Sequence, residues 1–265
     1  MKYYVVSDVH GYFSLMKQAL QEKGFFDDKE PHKLILCGDM LDRGEEALEM
    51  QEFMLDLLHK DELVFVRGNH EDLMIDMMNR FEDYRWEISL GVSHHNSNGT
   101  WDTALWLSGM NELDALRNTQ EFLYKTEQSP FCKELIPSSV NYFETDHYVF
   151  VHGWIPCNTE DMPDWYQRNR HYTFDPEWRL AGQKRWSQAR WFNGMDLAEK
   201  HKIVVPEKKI VCGHWHTSFG HAVFESKGSE FGSDADFSPF IGNGILAIDA
   251  CTAHSGLVNC VVLSD

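Results

Sequence analysis

The sequence predicts an α/β fold on three observations. Short apolar runs alternate with amphipathic stretches through the first eighty residues. Short apolar runs return in the second half. Every chemically conspicuous cluster falls directly after one of these runs. Strands alternating with helical patterns imply βαβ units and a parallel sheet, and sites in such sheets form at the carboxyl ends of the strands. Residues 2–7 read as the first strand and 14–23 as a helix with Leu15, Ala19 and Leu20 on one face. Residues 33–37 (Lys-Leu-Ile-Leu-Cys) are the second strand. Residues 45–59 form a helix with Met50, Phe53, Met54, Leu57 and Leu58 at helical spacing. Residues 63–66 and 71–79 repeat the pair. Residues 80–140, rich in Trp, His, Asn and Glu, break the rhythm. They read as an inserted helical cap with helices at 103–107 and 112–126. Strands resume at 140–143, 148–151, 209–212, 221–224, 245–248 and 257–263. Residues 158–184, which include Trp165, Tyr166, Tyr172 and Trp178, read as a long loop over the site. Residues 1–265 are expected to form one domain.

Composition narrows the function. Of the 265 residues 43% are hydrophobic and 25% charged, ordinary for a globular chain. With 42 acidic against 24 basic residues the formal charge is −18. Such a field repels polyanions, so nucleic acid and anionic membrane are not expected partners. An anionic substrate must then be held by local cations. No targeting segment and no apolar run of membrane-spanning length is read from the sequence. The six cysteines show no Cys-x-x-Cys pair, and reduced thiols in a cytoplasmic protein are expected.

Five polar clusters carry the chemistry. They are Asp8-Val9-His10-Gly11, Gly38-Asp39-Met40-Leu41-Asp42-Arg43-Gly44, Arg67-Gly68-Asn69-His70-Glu71, Val151-His152-Gly153 and Cys212-Gly213-His214-Trp215-His216. Alone, each is weak: a histidine after a strand is usually a packed or surface residue, and Asn69 could equally be a helix N-cap. All five in this order, each after a strand, point to one site. Asp8 and His10, two apart, can face one way and hold one divalent metal with Asp39. Asp39 can bridge to a second held by Asn69, His152 and His214. Mixed oxygen and nitrogen donors suit Mn²⁺, Fe or Zn²⁺ better than Ca²⁺.

From Asp8 to His216 the set resembles the calcineurin-like metallophosphoesterase superfamily. The Asp42-Arg43-Gly44 string resembles its phosphoprotein phosphatase branch, which includes the bacterial symmetrical diadenosine tetraphosphatases. The resemblance implies a four-layer α/β/β/α sandwich of two mixed sheets flanked by helices. It also implies two divalent metal ions, Mn²⁺ foremost, that supply a hydroxide for direct attack on a phosphate ester. It makes His70 the catalytic histidine and Asp42 its carboxylate partner. Arg43, Arg67 and Asn69 become phosphate contacts, with a further arginine from the segment before the last motif: Arg190, or Arg185 in reserve. The branch usually carries one histidine in that motif. Here His216 follows His214, and in other branches the second histidine is also a ligand, so His216 joins the expected metal set.

Two substrate readings remain open. One is a phosphorylated protein or small phosphate ester. The other is a dinucleoside polyphosphate, since His152-Gly153-Trp154-Ile155-Pro156 resembles the corresponding tetraphosphatase stretch. An inactive phospho-recognition scaffold is the reading from another class. A monomer or small homo-oligomer is expected. His94-His95 reads as a solvated turn and the Met-rich helix faces as core. The nine tryptophans read as packing, with Trp165 or Trp178 as candidates to stack on a nucleobase.

Overall fold

The computed structural model describes residues 1–159 and 171–265. Its first sheet grows from β1 (Lys2–Val6), β2 (His32–Cys37) and β3 (Leu63–Val66), which pair in parallel. Leu34 to Cys37 are all buried, the mark of a central strand covered on both faces. The helices α1 (Phe13–Glu22), α2 (Ala47–His59) and α3 (Asn69–Asn79) follow the three strands. Met50, Met54 and Leu57 on α2 recur at helical spacing and are buried against the sheet.

Residues 80–140 are helical, as the sequence predicts: α4 (Phe81–Ser89), α5 (His94–Ser97), α6 (Thr100–Ser108), α7 (Glu112–Arg117), α8 (Thr119–Gln128), a π-turn at Phe131–Leu135 and α9 (Ile136–Ser138). The single helix expected at 112–126 is two, broken at Asn118, whose φ of −119° and ψ of 55° leave the helical region. Phe81, Trp101, Phe122 and Phe131 share one apolar cluster with the buried Met50, Met54, Met74 and Met77. The segment therefore thickens the outer helical layer of the first sheet.

The second half supplies β4 (Phe143–Glu144), β5 (Tyr148–Phe150), β6 (Asn158–Thr159), β7 (Tyr172–Thr173), α10 (Gln183–Ala189), α11 (Gly194–Glu199), β8 (Lys209–Cys212), α12 (Thr217–Phe224), β9 (Phe240–Gly242), β10 (Ile245–Ala247), α13 (Thr252–Ser255) and β11 (Val261–Ser264). Two mixed sheets result, β11-β1-β2-β3 and β4-β5-β8-β10-β9. In each the central strands are parallel; β11 is an antiparallel edge of the first sheet, and β4 and β9 are antiparallel edges of the second. Tyr3, Val5, Ile35, Cys37 and Val66 from the first sheet meet Phe150, Val211, Leu246 and Ile248 from the second in a shared apolar layer, so the sheets stack face to face. Helices cover both outer faces, completing the four layers.

Three sequence expectations are corrected. Residues 221–224 are the last turn of α12. A run as short as Ala222-Val223-Phe224 has no period that separates helix from strand, and Gly220 lets the helix sit against Met195 and Phe240. Strand β9 is a further strand that the sequence reading does not contain. Val140 makes only a bridge to Val66, and regular pairing starts at Phe143. Trp178 is fully buried against Trp186 and Tyr142, which removes it as a nucleobase platform. Trp165 and Tyr166 lie outside the described residues.

Candidate active site

The carboxyl ends of β1, β2, β3, β5 and β8 bring Asp8, His10, Asp39, Asp42, Arg43, Asn69, His70, His152 and His214 together. The chain turns there through left-handed backbone at non-glycine residues: φ is 52° at Asp8, 46° at His10, 55° at Asp39, 76° at Asp42, 66° at Arg43 and 66° at His214. Such conformations cost energy and persist where surrounding contacts enforce them. Here the enforcing contacts are visible. Backbone N–H groups of Asp8, His10 and Gly11 donate to the carbonyls of Gly38, Asp39 and Met40, lacing the first two loops together. Glu71, fully buried, accepts from the backbone N–H groups of Asp39, Met40 and Gly68 at 2.7–3.1 Å and joins the second loop to the third. Sequence reasoning missed this role, although a Glu at the third position of a helix is a known partner for the N-terminal amides. The approach is close: a Cβ on Gly68 would lie 2.2 Å from Asp39 Oδ1.

Carbonyl partners fix the imidazole tautomers. His10 Nδ1 donates to Leu41 O at 3.2 Å and His152 Nδ1 to Cys37 O at 2.8 Å, so each Nε2 presents a lone pair inward. Burial pushes both rings toward the neutral form, as it does His214. His152 Nε2 then lies 2.7 Å from Asn69 Oδ1 and 3.4 Å from Asp39 Oδ1, acceptors facing an acceptor. His10, Asp39 and His70 form one group of ligand atoms within 4.8 Å, and Asp39, His152 and His214 another. Buried lone pairs converging in this way repel one another unless a cation lies among them. The donor set therefore fits divalent metal ions, with Asp39 common to both groups. Asp8 lines the same cleft. Its Oδ2 accepts the His214 backbone N–H at 2.9 Å and the Ser7 hydroxyl, and burial raises its pKa to about 6.

Within the first group His70 also pairs with a second carboxylate. His70 Nδ1 lies 2.7 Å from Asp42 Oδ2, which also accepts the Thr100 hydroxyl at 2.8 Å. Burial pushes the His70 pKa down, but the Asp39 and Asp42 carboxylates outweigh it and hold the ring at about 9. The Arg43 guanidinium spans the two histidines, Nη1 at 2.9 Å from His10 Nε2 and Nη2 at 3.2 Å from His70 Nε2.

Three expected residues are not brought in. Arg190 is 3% exposed and its guanidinium is consumed by Asp72, Asn141 and the Arg67 carbonyl. Arg67 is turned to Ser139 and the Ile136 carbonyl. The reserve, Arg185, is held by Asp175 and the Cys157 carbonyl. Nothing in the local sequence distinguishes an arginine that braces a loop from one that grips a ligand. Nor is His216 gathered with the ligands: its Nε2 lies 2.9 Å from Glu230 Oε1 and it belongs to neither ligand group. It lines instead the rim of a cleft of about 490 Å³, with Asn98, Trp191, Trp215, Glu230 and Phe231. Asp249 and Cys251, after β10, line the same cleft. Among the described residues Arg43 is the one arginine or lysine in its lining, and no described residue of 158–184 lines it.

Stacked mixed sheets with carboxylates and imidazoles gathered at their strand ends define a metallophosphoesterase class of protein. The chain belongs to the calcineurin-like phosphoesterase family, whose pattern matches residues 1–218. It is similar to serine/threonine-protein phosphatase 2 of Salmonella typhimurium, 31% identical over 60% of this chain and 61% of that one. Serine/threonine-protein phosphatase 1 of the same organism is 31% identical over 43% and 46%. A symmetrical bis(5'-nucleosyl)-tetraphosphatase of Buchnera aphidicola is 33% identical over 33% and 30%. The matched segments thus span less than two thirds of each relative. A solved cold-active protein-tyrosine phosphatase of a Shewanella covers all of this chain and 75% of its own at 16% identity and a TM-score of 0.49, a likeness too distant to bear on activity. Among the described residues no helix is long and apolar enough to cross a membrane.

Proposed function

We propose that the chain hydrolyses phosphate monoesters with two divalent metal ions, as a serine/threonine or broad-specificity phosphatase. One observation carries the reading: the buried groups His10–Asp39–His70 and Asp39–His152–His214 share Asp39, and His70 is in turn held by Asp42. His10, Asp39 and Asp8 would hold one ion, and Asp39, Asn69, His152 and His214 the other. Such ions, Mn²⁺ foremost and Fe or Zn²⁺ as alternatives, supply an acidified water and offset phosphoryl charge. Arg43, released from the His10 lone pair, presents a planar fork to the phosphoryl oxygens. Asp42 accepts from His70 Nδ1–H and, with Asp39, favours the doubly protonated ring, so that Nε2 also carries a proton to give to the leaving oxygen.

Turnover of p-nitrophenyl phosphate with Mn²⁺, abolished by chelation, is the expected result; its absence in the metal-loaded chain would leave only a binding scaffold. Competing phosphopeptide and diadenosine tetraphosphate under the same conditions ranks the two substrate readings. His70→Asn is expected to lower kcat on a poor leaving group by about 10²–10⁴-fold with metal content unchanged. Loss of metal from that variant would make His70 a ligand instead.

A further inference from the structure

We propose that Asp76, His94 and His95 form a separate site for a zinc-like transition-metal ion, on the helical layer outside the active-site cleft. The three residues offer ligand atoms within 4.8 Å of one another. His95 is 0% exposed, and neither of its ring nitrogens has a hydrogen-bond partner. A buried imidazole orphaned at both nitrogens carries an uncompensated desolvation cost, and a bound ion is one of the few things that removes it.

The geometry suits an ion better than a direct contact. His95 Nε2 lies 3.8 Å from Asp76 Oδ2, beyond hydrogen-bond range. Two ligands each about 2.1 Å from a tetrahedral ion stand roughly 3.4 Å apart. The His94 ring lies beside that of His95, their centroids 3.9 Å apart. His94 is exposed, so it can rotate onto an ion and leave the fourth position to water.

The surroundings hold this arrangement. Ser93 caps α5 by accepting from the His95 backbone N–H, which fixes the backbone that carries both histidines. The Tyr84 ring stands edge-on to both imidazoles, and its hydroxyl donates to Asp76 Oδ2 at 2.7 Å, support of the kind that orients metal-binding carboxylates. Arg80 is the competing cation. It reaches Asp76 through Oδ1 at 3.3 Å from a side chain that is 53% exposed, leaving Oδ2 to the ion. Burial, helped by His94, lowers the His95 pKa to about 4, so the ring is neutral and able to ligate. Two imidazoles and one carboxylate select Zn²⁺, Co²⁺ or Ni²⁺ over Mg²⁺ or Ca²⁺.

An ion there would brace the active site from behind. From α5 the chain runs through Asn98, which lines the cleft, to Thr100, which holds Asp42. The test is metal stoichiometry on the full chain, stripped and reloaded with Zn²⁺ and separately with Co²⁺. His94→Ala changes an exposed side chain and keeps the fold. It is expected to bind one ion fewer per chain than the wild type, to lose part of the Co²⁺ absorption, and to lose part of the Zn²⁺-induced rise in Tm. Asp76→Asn should reproduce the loss. Equal stoichiometry and equal Co²⁺ spectra in wild type and His94→Ala would overturn the proposal and leave His95 as a packing residue.

Discussion

The floor of the cleft and its rim are built on different principles. On the floor, side chains are aimed by backbone. Asp8, His10, Asp39 and His214 sit in left-handed conformations, and carbonyls orient His10 and His152. At the rim, side chains are held by other side chains. His216 meets Glu230, Phe231 tilts against His216, and Trp191 is 49% exposed. A backbone-aimed group tolerates no substitution in its supports, whereas a side-chain-held wall can be redrawn residue by residue. On the proposed function, chemistry would then belong to the floor and substrate choice to the rim.

The strongest way to break that contrast is Asp39→Asn, which removes the carboxylate common to both ligand groups. Activity is expected to fall by about 10⁴-fold or more with loss of bound metal, read by metal analysis and turnover together. A floor support without chemistry comes next. Gly68→Ala places a Cβ 2.2 Å from Asp39 Oδ1, and displacing a catalytic group by about 1 Å costs roughly 10²-fold. Wild-type kcat in this variant would deny the backbone's role. At the rim, Trp191→Ala should change kcat/KM by only about tenfold or less, unequally across substrates; an equal loss on all substrates would move Trp191 to the floor.

A pair outside the cleft gives the baseline. Glu144 accepts from Arg179 and pairs with Lys208, which together outweigh burial and hold its pKa down at about 2. Its contribution is fully present above the ordinary carboxylate range near pH 4.5 and is lost as the pH falls toward 2. Partial exposure screens these pairs, so Glu144→Gln should cost about 1 kcal/mol at pH 7 and less at pH 3, with turnover untouched.

The same contrast explains what could be read from the sequence. Floor residues follow β1, β2, β3, β5 and β8, whose apolar runs end in Gly-flanked Asp, His and Asn. That order survives in one dimension. The placement of Arg190 and His216 is not legible there, because their partners, Asp72 and Asn141 for one and Glu230 for the other, are set by tertiary packing that no local pattern encodes. Glu71 is legible only in part: its position third in the helix marks the Gly68 amide as a partner, whereas its bonds to the Asp39 and Met40 amides are set by tertiary packing. Strand β9 is three residues long, too short for a periodicity to develop.

The left-handed turns also bear on how this protein can be engineered. Each non-glycine residue held at positive φ costs of order 1–3 kcal/mol, and here such residues concentrate around one cleft. Cys251, at φ 53°, shares that conformation but belongs to neither ligand group. Cys251→Gly relaxes one turn while leaving every ligand in place. The corresponding glycine at His10 or His214 would relax the chain and delete the chemistry. Thermostabilising selection on this scaffold would accumulate glycine first at positions like Cys251 and would stop at the ligands, a stability–activity trade-off set by which positive-φ residues carry a ligand atom.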